Sequence, residues 1–368
     1  MVSRGRRFGG GMSSSPMVAV RGKTGELTAL CQVSREEAQA VRICVDLHSG
    51  GSKVLETLIA AVEHLHHYGQ KPLLDVTRLP GTDRLRNMPG GPLDPVVEVM
   101  TSPTVFDPDP ELPFTPVVPL GLDDGELRRY ALLRESHDVT FGVRVAADCP
   151  VDEAVRELIS VLARLNVDAS EVELLVDVGY VPRREVAWEV YEPLVAELGQ
   201  RFSFMSITVL GGSIPPQRTG IRAGVRTRRE LQLWERLQAV TPTLRYGDYG
   251  VVSPGRPADR KQGGGIKPNP YLFYTGRGCT RYAWRELERG ANRQPVADED
   301  LGARFREVAQ ELVDSPEYAQ RAADSWGDRQ LWHCARGKWV AEEPQEWIAY
   351  GTSHHIAHLA TGVDFDRS

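Results

Sequence analysis

The residues best suited to chemistry lie in WIAYGTSHHIAHL, residues 347–359, where His354, His355 and His358, three of the nine histidines, crowd into five positions. On a helix, side chains three or four apart share one face, the spacing that metal sites use. No Glu stands between these histidines, so the H-E-x-x-H pattern of zinc peptidases is absent. None of the five cysteines (Cys31, Cys44, Cys149, Cys279 and Cys334) lies within four positions of another, so no C-x-x-C motif supplies partners. We assign no metal on these grounds. Imidazole exchanges protons near neutral pH, which makes His354 and His355 acid–base candidates, aimed by the small turn Gly351-Thr352-Ser353. The competing reading has Thr352 or Ser353 capping a helix while the histidines pack against aromatic neighbours. His64, His66 and His67 end an amphipathic stretch, where cationic side chains complement the helix dipole, and are read as structural.

Such groups need a frame. From residue 16 onward, short runs rich in Val, Ile and Leu alternate with stretches of helical period. The runs are 17–20, 43–47, 72–76, 114–120, 139–145, 172–178, 202–210 and 244–250. Most are continuously apolar, as parallel strands covered on both faces require. Leu58, Val62 and Leu65, or Ala154, Val155, Leu158, Ile159 and Leu165, repeat at three and four and predict helices between them. Pro193 predicts a late start for the helix near 184–199. Eight strands alternating with helical crossovers predict an α/β fold, a (β/α)8 TIM-barrel-like domain. A doubly wound sheet is the rival, but no Gly-rich dinucleotide fingerprint follows the first run. The texture changes after residue 254, and five of the seven tryptophans follow it. The expected organisation is a disordered leader over 1–15, the barrel over 16–255, and a C-terminal α+β subdomain over 256–368 packed on the barrel.

In a barrel, functional groups gather at the C-terminal strand ends. There the sequence places Arg21 and Lys23, Asp46, Asp75 and Arg78, Arg144, Asp177, Gly212 and Ser213, and Asp248. Asp248 and Asp177 join His354 and His355 as catalytic candidates. Arg21, Lys23, Asp46, Asp75, Arg144, Gly212 and Ser213 are ligand-binding candidates. Lys23 and Glu26 lie in RGKTGEL, where flanking glycines let the backbone approach a ligand. GGSIP, 211–215, follows the seventh strand, a common place for barrel phosphate sites. The opposing view makes each Asp a turn former, a helix cap or one half of an ion pair inside the barrel. A C-terminal subdomain folded over the barrel mouth would bring Asp248, Trp326, Asp328 and His354 together.

Net charge is -6, with 41% hydrophobic and 26% charged residues. That balance argues against nucleic acid as a partner without excluding it. Basic clusters at Arg222–Arg229 and 256–267 read as a solvated helix face or loop. Sparse, odd-numbered cysteines favour reduced thiols and a cytoplasmic setting, and no apolar run reaches the roughly 20 residues of a membrane span.

The segments RGKTGEL (21–27), VDVG (176–179), GGSIP (211–215), RYGDYG (245–250), SWGD (325–328) and WIAYGTSHHI (347–356) stand in an order that resembles the beta protein family of bacteriophages and bacteria. The likeness covers residues 17–360. It departs at VRICVDLHSGG (41–51), which lacks an acidic residue expected there, and in the extra basic leader. The resemblance implies a phage or defence-associated setting, with a protein partner encoded nearby, and implies no catalytic set or cofactor. Two expectations follow. The first is a non-enzymatic module that recognises a protein or nucleotide partner. The second is a barrel enzyme acting on a small phosphate- or carboxylate-bearing ligand through Asp and His. An enzyme predicts a deep mouth with converging charged groups; a module predicts a filled one.

Overall fold

The computed structural model describes residues 15–103, 105, 108–182, 188–216, 221–255, 268–290, 295–296 and 300–365. The expected leader, save residue 15, and the basic cluster at 256–267 lie outside the described residues.

Each of the eight apolar runs yields one barrel strand. They are β1 (Met17–Gly22), β2 (Arg42–Leu47), β3 (Leu73–Asp75), β4 (Thr115–Pro119), β5 (Phe141–Ala146), β6 (Val172–Tyr180), β7 (Ser206–Gly212) and, after a short β8 (Gly224–Thr227), β9 (Leu244–Asp248). The eight long-range pairings are parallel, and β9 closes on β1, giving a closed barrel β1-β2-β3-β4-β5-β6-β7-β9. The TIM-barrel-like expectation is correct.

Side chains alternate between the barrel interior and the helical layer. The interior is filled in three tiers. The middle tier is apolar, with Met17, Ala19, Cys44, Leu73, Val117, Leu175 and Leu210 in one buried cluster together with Tyr249. Below it, Glu173 on β6 lies between Arg42 (2.5 Å) and Arg245 (3.0 Å). Above it, toward the strand C-termini, the same parity puts Arg21, Asp46, Asp75, Arg144 and Asp177. The opposite parity sends Val18, Val20, Ile43, Val45, Val143, Val145, Leu174 and Val176 outward into the main core with the helices.

The helices follow the apolar stripes. Ser52–His67 buries Leu58, Ala61, Val62 and Leu65, and Val151–Leu165 buries Ala154, Val155, Leu158, Val161 and Leu165. Ile159, expected in that stripe, is 47% exposed, because Val161 takes the inward position instead. Pro193 falls in the first turn of Glu192–Arg201, the late start expected.

The C-terminal elements comprise β10 (Tyr271–Gly276), β11 (Cys279–Trp284), and helices including Leu301–Val313, Trp326–Ala335 and Pro344–Ala360. β10 and β11 form an antiparallel sheet with β8, which comes from the loop between barrel strands β7 and β9. Part of Arg222–Arg229 is thus a strand, not the solvated helix face or loop expected from sequence. Pro344–Ala360 is buried on nearly every side. Ile356 and Leu359 join the barrel core, while Trp347, Ala349 and Tyr350 join the C-terminal core. A helix buried on nearly every side belongs between two layers, and this one lies there. Gly327 lets a neighbouring helix touch it: a Cβ there would stand 2.1 Å from the Tyr350 carbonyl oxygen. Thr352 and Ser353 lie mid-helix, so neither caps it; Ser353 instead accepts a hydrogen bond from the Gly327 amide at 3.1 Å. Among the described residues no helix is long and apolar enough to cross a membrane.

Candidate functional site

The upper tier of the barrel interior is a network of ions. Arg144 donates to both oxygens of Asp46, at 2.6 and 3.1 Å, and its Nη1 stands 3.0 Å from Asp75 and 3.9 Å from Asp177. Asp177 also accepts from Arg78 at 2.6 Å, from the Tyr249 hydroxyl at 2.5 Å and from the Gly179 amide at 3.0 Å. Thr77 ties down the other oxygen of Asp75, through its amide at 2.7 Å and hydroxyl at 2.6 Å. The network is not fully closed. Arg144 Nε and Asp75 Oδ2 are buried without an aligned hydrogen bond among the described residues, although Asp75 Oδ2 is in ionic contact with Arg144. Burial raises the Asp46 carboxyl, opposed by Arg144 and reinforced by Asp75.

Around the ends of β1, β2 and β3, several cations gather. His48, just past β2, is lowered to about 3 by burial and then by Arg21, Lys23 and Arg78, which crowd positive charge onto it. Lys23 is lowered by burial and by Arg21, against the pull of Glu26. Arg21 donates to the Ser253 carbonyl. Glu26, in the helix Thr24–Leu30 that leaves β1, is buried, and no side chain among the described residues hydrogen-bonds it. Burial pushes its carboxyl up to about 7, with Arg21 and Lys23 pulling the other way. It can therefore exchange a proton at neutral pH. The sequence placed Glu26 in a ligand-approach loop without giving it a role; the structure buries it in the first turn of the helix that follows β1.

The histidines belong elsewhere. Asp248 lies on the outward face of β9, opposite in parity to Tyr249, and so faces the C-terminal subdomain rather than the barrel axis. Each histidine of 347–359 pairs with a different aspartate. His354 Nδ1 meets Asp328 at 3.0 Å and its Nε2 meets the Thr275 carbonyl at 2.8 Å. His355 Nε2 meets Asp248 at 2.9 Å, with the Thr275 hydroxyl on Nδ1 at 2.7 Å. His358 Nε2 meets Asp364 at 2.9 Å. His354 and His355 are each 2% exposed and Asp248 1%. Thr275 of β10 joins the first two pairs, so Asp248, Asp328 and His354 do converge, and Trp326 packs on Tyr350 beside them (5.4 Å). They converge in a sealed seam between barrel and subdomain.

Arg228 organises that seam, and the sequence reading missed it. Its Nη2 donates to the Tyr246 hydroxyl at 2.6 Å and to Asp248 at 3.0 Å, its Nε to Glu230 at 3.2 Å, and its Nη1 to Asp364. Ser213, expected to meet a phosphate, holds the start of the next helix: its hydroxyl accepts from the Arg229 amide at 2.7 Å and donates to Glu230. A Cβ on Gly212 would stand 3.2 Å from Pro254, so that glycine serves close packing. Among the described residues no three His, Cys, Asp or Glu side chains group as a metal site.

The seam should be sensitive to acid. Burial disfavours the Asp248 carboxylate, but His355, Arg228 and the Tyr246 hydroxyl outweigh it and hold the group at about 2. A carboxyl held below its unfolded value stabilises the fold above that unfolded value, near 4, and the benefit fades as pH falls through about 2. Asp328 is lowered as well, against burial, chiefly by His354. His358 is lowered by burial, which acts in the same direction, whereas raised groups such as Glu26 oppose it. We expect the stability advantage of the native protein over Asp248→Asn, on the order of 2 kcal/mol, to be full at pH 6 and to shrink from pH 4 toward 2. Urea unfolding of both proteins at pH 6, 4 and 3 measures it; a pH-independent difference would contradict it.

A closed parallel barrel with a charged upper tier defines the class: a (β/α)8-barrel protein. Within that class the chain belongs to the Beta protein family, whose model matches residues 16–361. No curated protein matches the chain. Similar solved structures include tryptophan synthase from M. tuberculosis in a ligand-free form, 11% identical, covering 64% of this chain and 83% of that one at a TM-score of 0.36. Another is 3-dehydroquinate dehydratase from Aquifex aeolicus VF5, 12% identical, covering 65% and 92% at a TM-score of 0.36.

Proposed function

We propose that this protein binds a small phosphate- or carboxylate-bearing ligand, such as a nucleotide, at the C-terminal end of its barrel, with Arg21, Lys23 and Arg78 as the reading cations. The observation that carries this is the gathering of those three cations about His48 at the strand ends. Like charges held together in a partly buried site are costly unless an anion joins them. Buried ion pairs are themselves no better for stability than an apolar tier, and the tier directly beneath is apolar. We read the charged tier as a platform that fixes Arg78 and Arg144 from below. A recognition role is favoured over the Asp–His acid–base enzyme, because Asp177 is held by Arg78 and Tyr249 and His354 and His355 face the seam. One observation favours chemistry as a second reading: Glu26, at about 7, is poised to give or take a proton beside Lys23. A phage- or defence-encoded protein partner remains an expectation of the family setting. Native mass spectrometry of the purified protein, in the presence and absence of inorganic pyrophosphate, tests the proposal. A bound anion retained by Asp248→Asn and lost in Lys23→Met supports it; no anion on either protein overturns it.

A further inference from the structure

A concavity opens on the same end of the barrel, between the segments that follow β3 and β4. Its volume is about 290 Å³. Val76 and Leu93 are buried in its wall, and Val97, Leu122, Tyr130 and Leu133 turn half-buried faces to it. Four charged residues ring it: Arg86, Arg129, Asp94 and Glu126. Of the acids, one is held by a hydrogen bond and the other lies close to the backbone. Glu126 closes a capping box, accepting from the Asp123 amide at 3.3 Å, and Asp94 folds onto Gly90, where a Cβ would overlap its carboxylate at 1.3 Å. The cations are anchored but not exhausted. Arg86 Nη1 donates to the Leu79 carbonyl at 2.9 Å, and Arg129 Nη2 to the Pro89 carbonyl at 3.3 Å, leaving other guanidinium N–H groups without partners among the described residues. Gly91 brings the backbone close under Arg129: a Cβ there would meet Nη1 at 3.1 Å, in a left-handed conformation (φ 102°) that favours glycine.

We propose that this cavity is a binding site for a small aromatic or alicyclic acid, its apolar body among Leu122, Leu133 and Val97 and its anionic group on Arg86 and Arg129. An apolar cavity of ~150 Å³ already takes a benzene ring, so a volume about twice that admits a bicyclic body. Apolar walls with a few placed polar groups are the usual make-up of small-molecule sites. The site is separate from the cation cluster at β1–β3 and stands independently of the function proposed above. Thr77, which lines the cavity and donates to Asp75, links this wall to the charged tier.

The test is a calorimetric titration of the full chain with 1-naphthoate, 1-naphthylmethanol and 1-naphthylmethylammonium. Naphthoate should bind best. Arg129→Ala should weaken naphthoate about tenfold, the loss of one good ionic contact, and leave the alcohol unchanged. Leu133→Trp, which fills the cavity, should abolish binding of both; Leu122→Phe gives a second, milder filling variant if the first does not fold. Lys23→Met should bind naphthoate as the native chain does, which separates this site from the barrel-mouth site. A preference for the ammonium probe, or full binding in either folded filling variant, would overturn the proposal.

Discussion

Arg228→Met is expected to cost about 3–5 kcal/mol of unfolding free energy, the penalty for stranding buried charge. Arg228 is 2% exposed and joins Asp248, Asp364 and Glu230. Methionine keeps much of the volume and removes the charge, so the loss comes from the carboxylates left behind rather than from a void. Burial lowers the guanidinium's hold on its proton, but Tyr246, Asp364 and Asp248 raise it well above its ordinary value, so the native charge is permanent. The loss should concentrate in the seam. Asp364 also holds His358 and the Gly278 amide, so the C-terminal turn should loosen together with β8 and β10. Urea unfolding gives the magnitude, and hydrogen exchange of residues 344–360 gives the location. A cost below about 1 kcal/mol, the range of surface pairs, would show that the seam does not depend on Arg228.

Arg144→Met should be comparably costly at pH 7, about 3–5 kcal/mol, and its deficit should depend on acid. Its removal leaves Asp46 and Asp75 in the upper tier without their main cation, and Asp177 with Arg78. Burial already raises Asp46, and losing Arg144 removes the largest opposing influence. A carboxyl raised above its unfolded value costs stability as pH climbs past that unfolded value. The variant should therefore recover part of its deficit between pH 7 and 5, as these carboxyls take up protons. Thermal unfolding of variant and native protein across that range reads the effect; a deficit that stays constant or grows toward pH 5 would contradict the ion-network account.

The barrel could be read from sequence because its signal is local. Continuous Val, Ile and Leu runs mark strands covered on both faces, and every run became a strand. The chemistry was harder because it depends on parity and on distant partners. In LRYGDYG, Asp248 and Tyr249 are neighbours in sequence but face opposite sides of the sheet, and both faces carry polar groups. Composition alone could not say which faced the axis. The histidines of 347–359 meet aspartates 26, 107 and 6 residues away. Only the last is local, and no periodicity announces the other two. Arg228 was hidden inside an arginine-rich run that resembles a solvated face; its burial follows from three carboxylates that converge only in the fold. Ser213 caps a helix that starts 16 residues later in the chain, at Arg229. The interior Asp–Arg pairing was one of the sequence alternatives, and V-D-V on a barrel strand was its signal.

The cations at the ends of β1 and β3 are the proposed anion site. Isothermal titration of inorganic pyrophosphate into the native chain and into Lys23→Met tests it most directly. Lys23 makes none of the ion pairs that hold the barrel, so the variant should fold unchanged. The account predicts binding to the native chain that weakens with salt, and binding about tenfold weaker in Lys23→Met. Equal affinity in the two proteins, or no heat from the native chain, would contradict it.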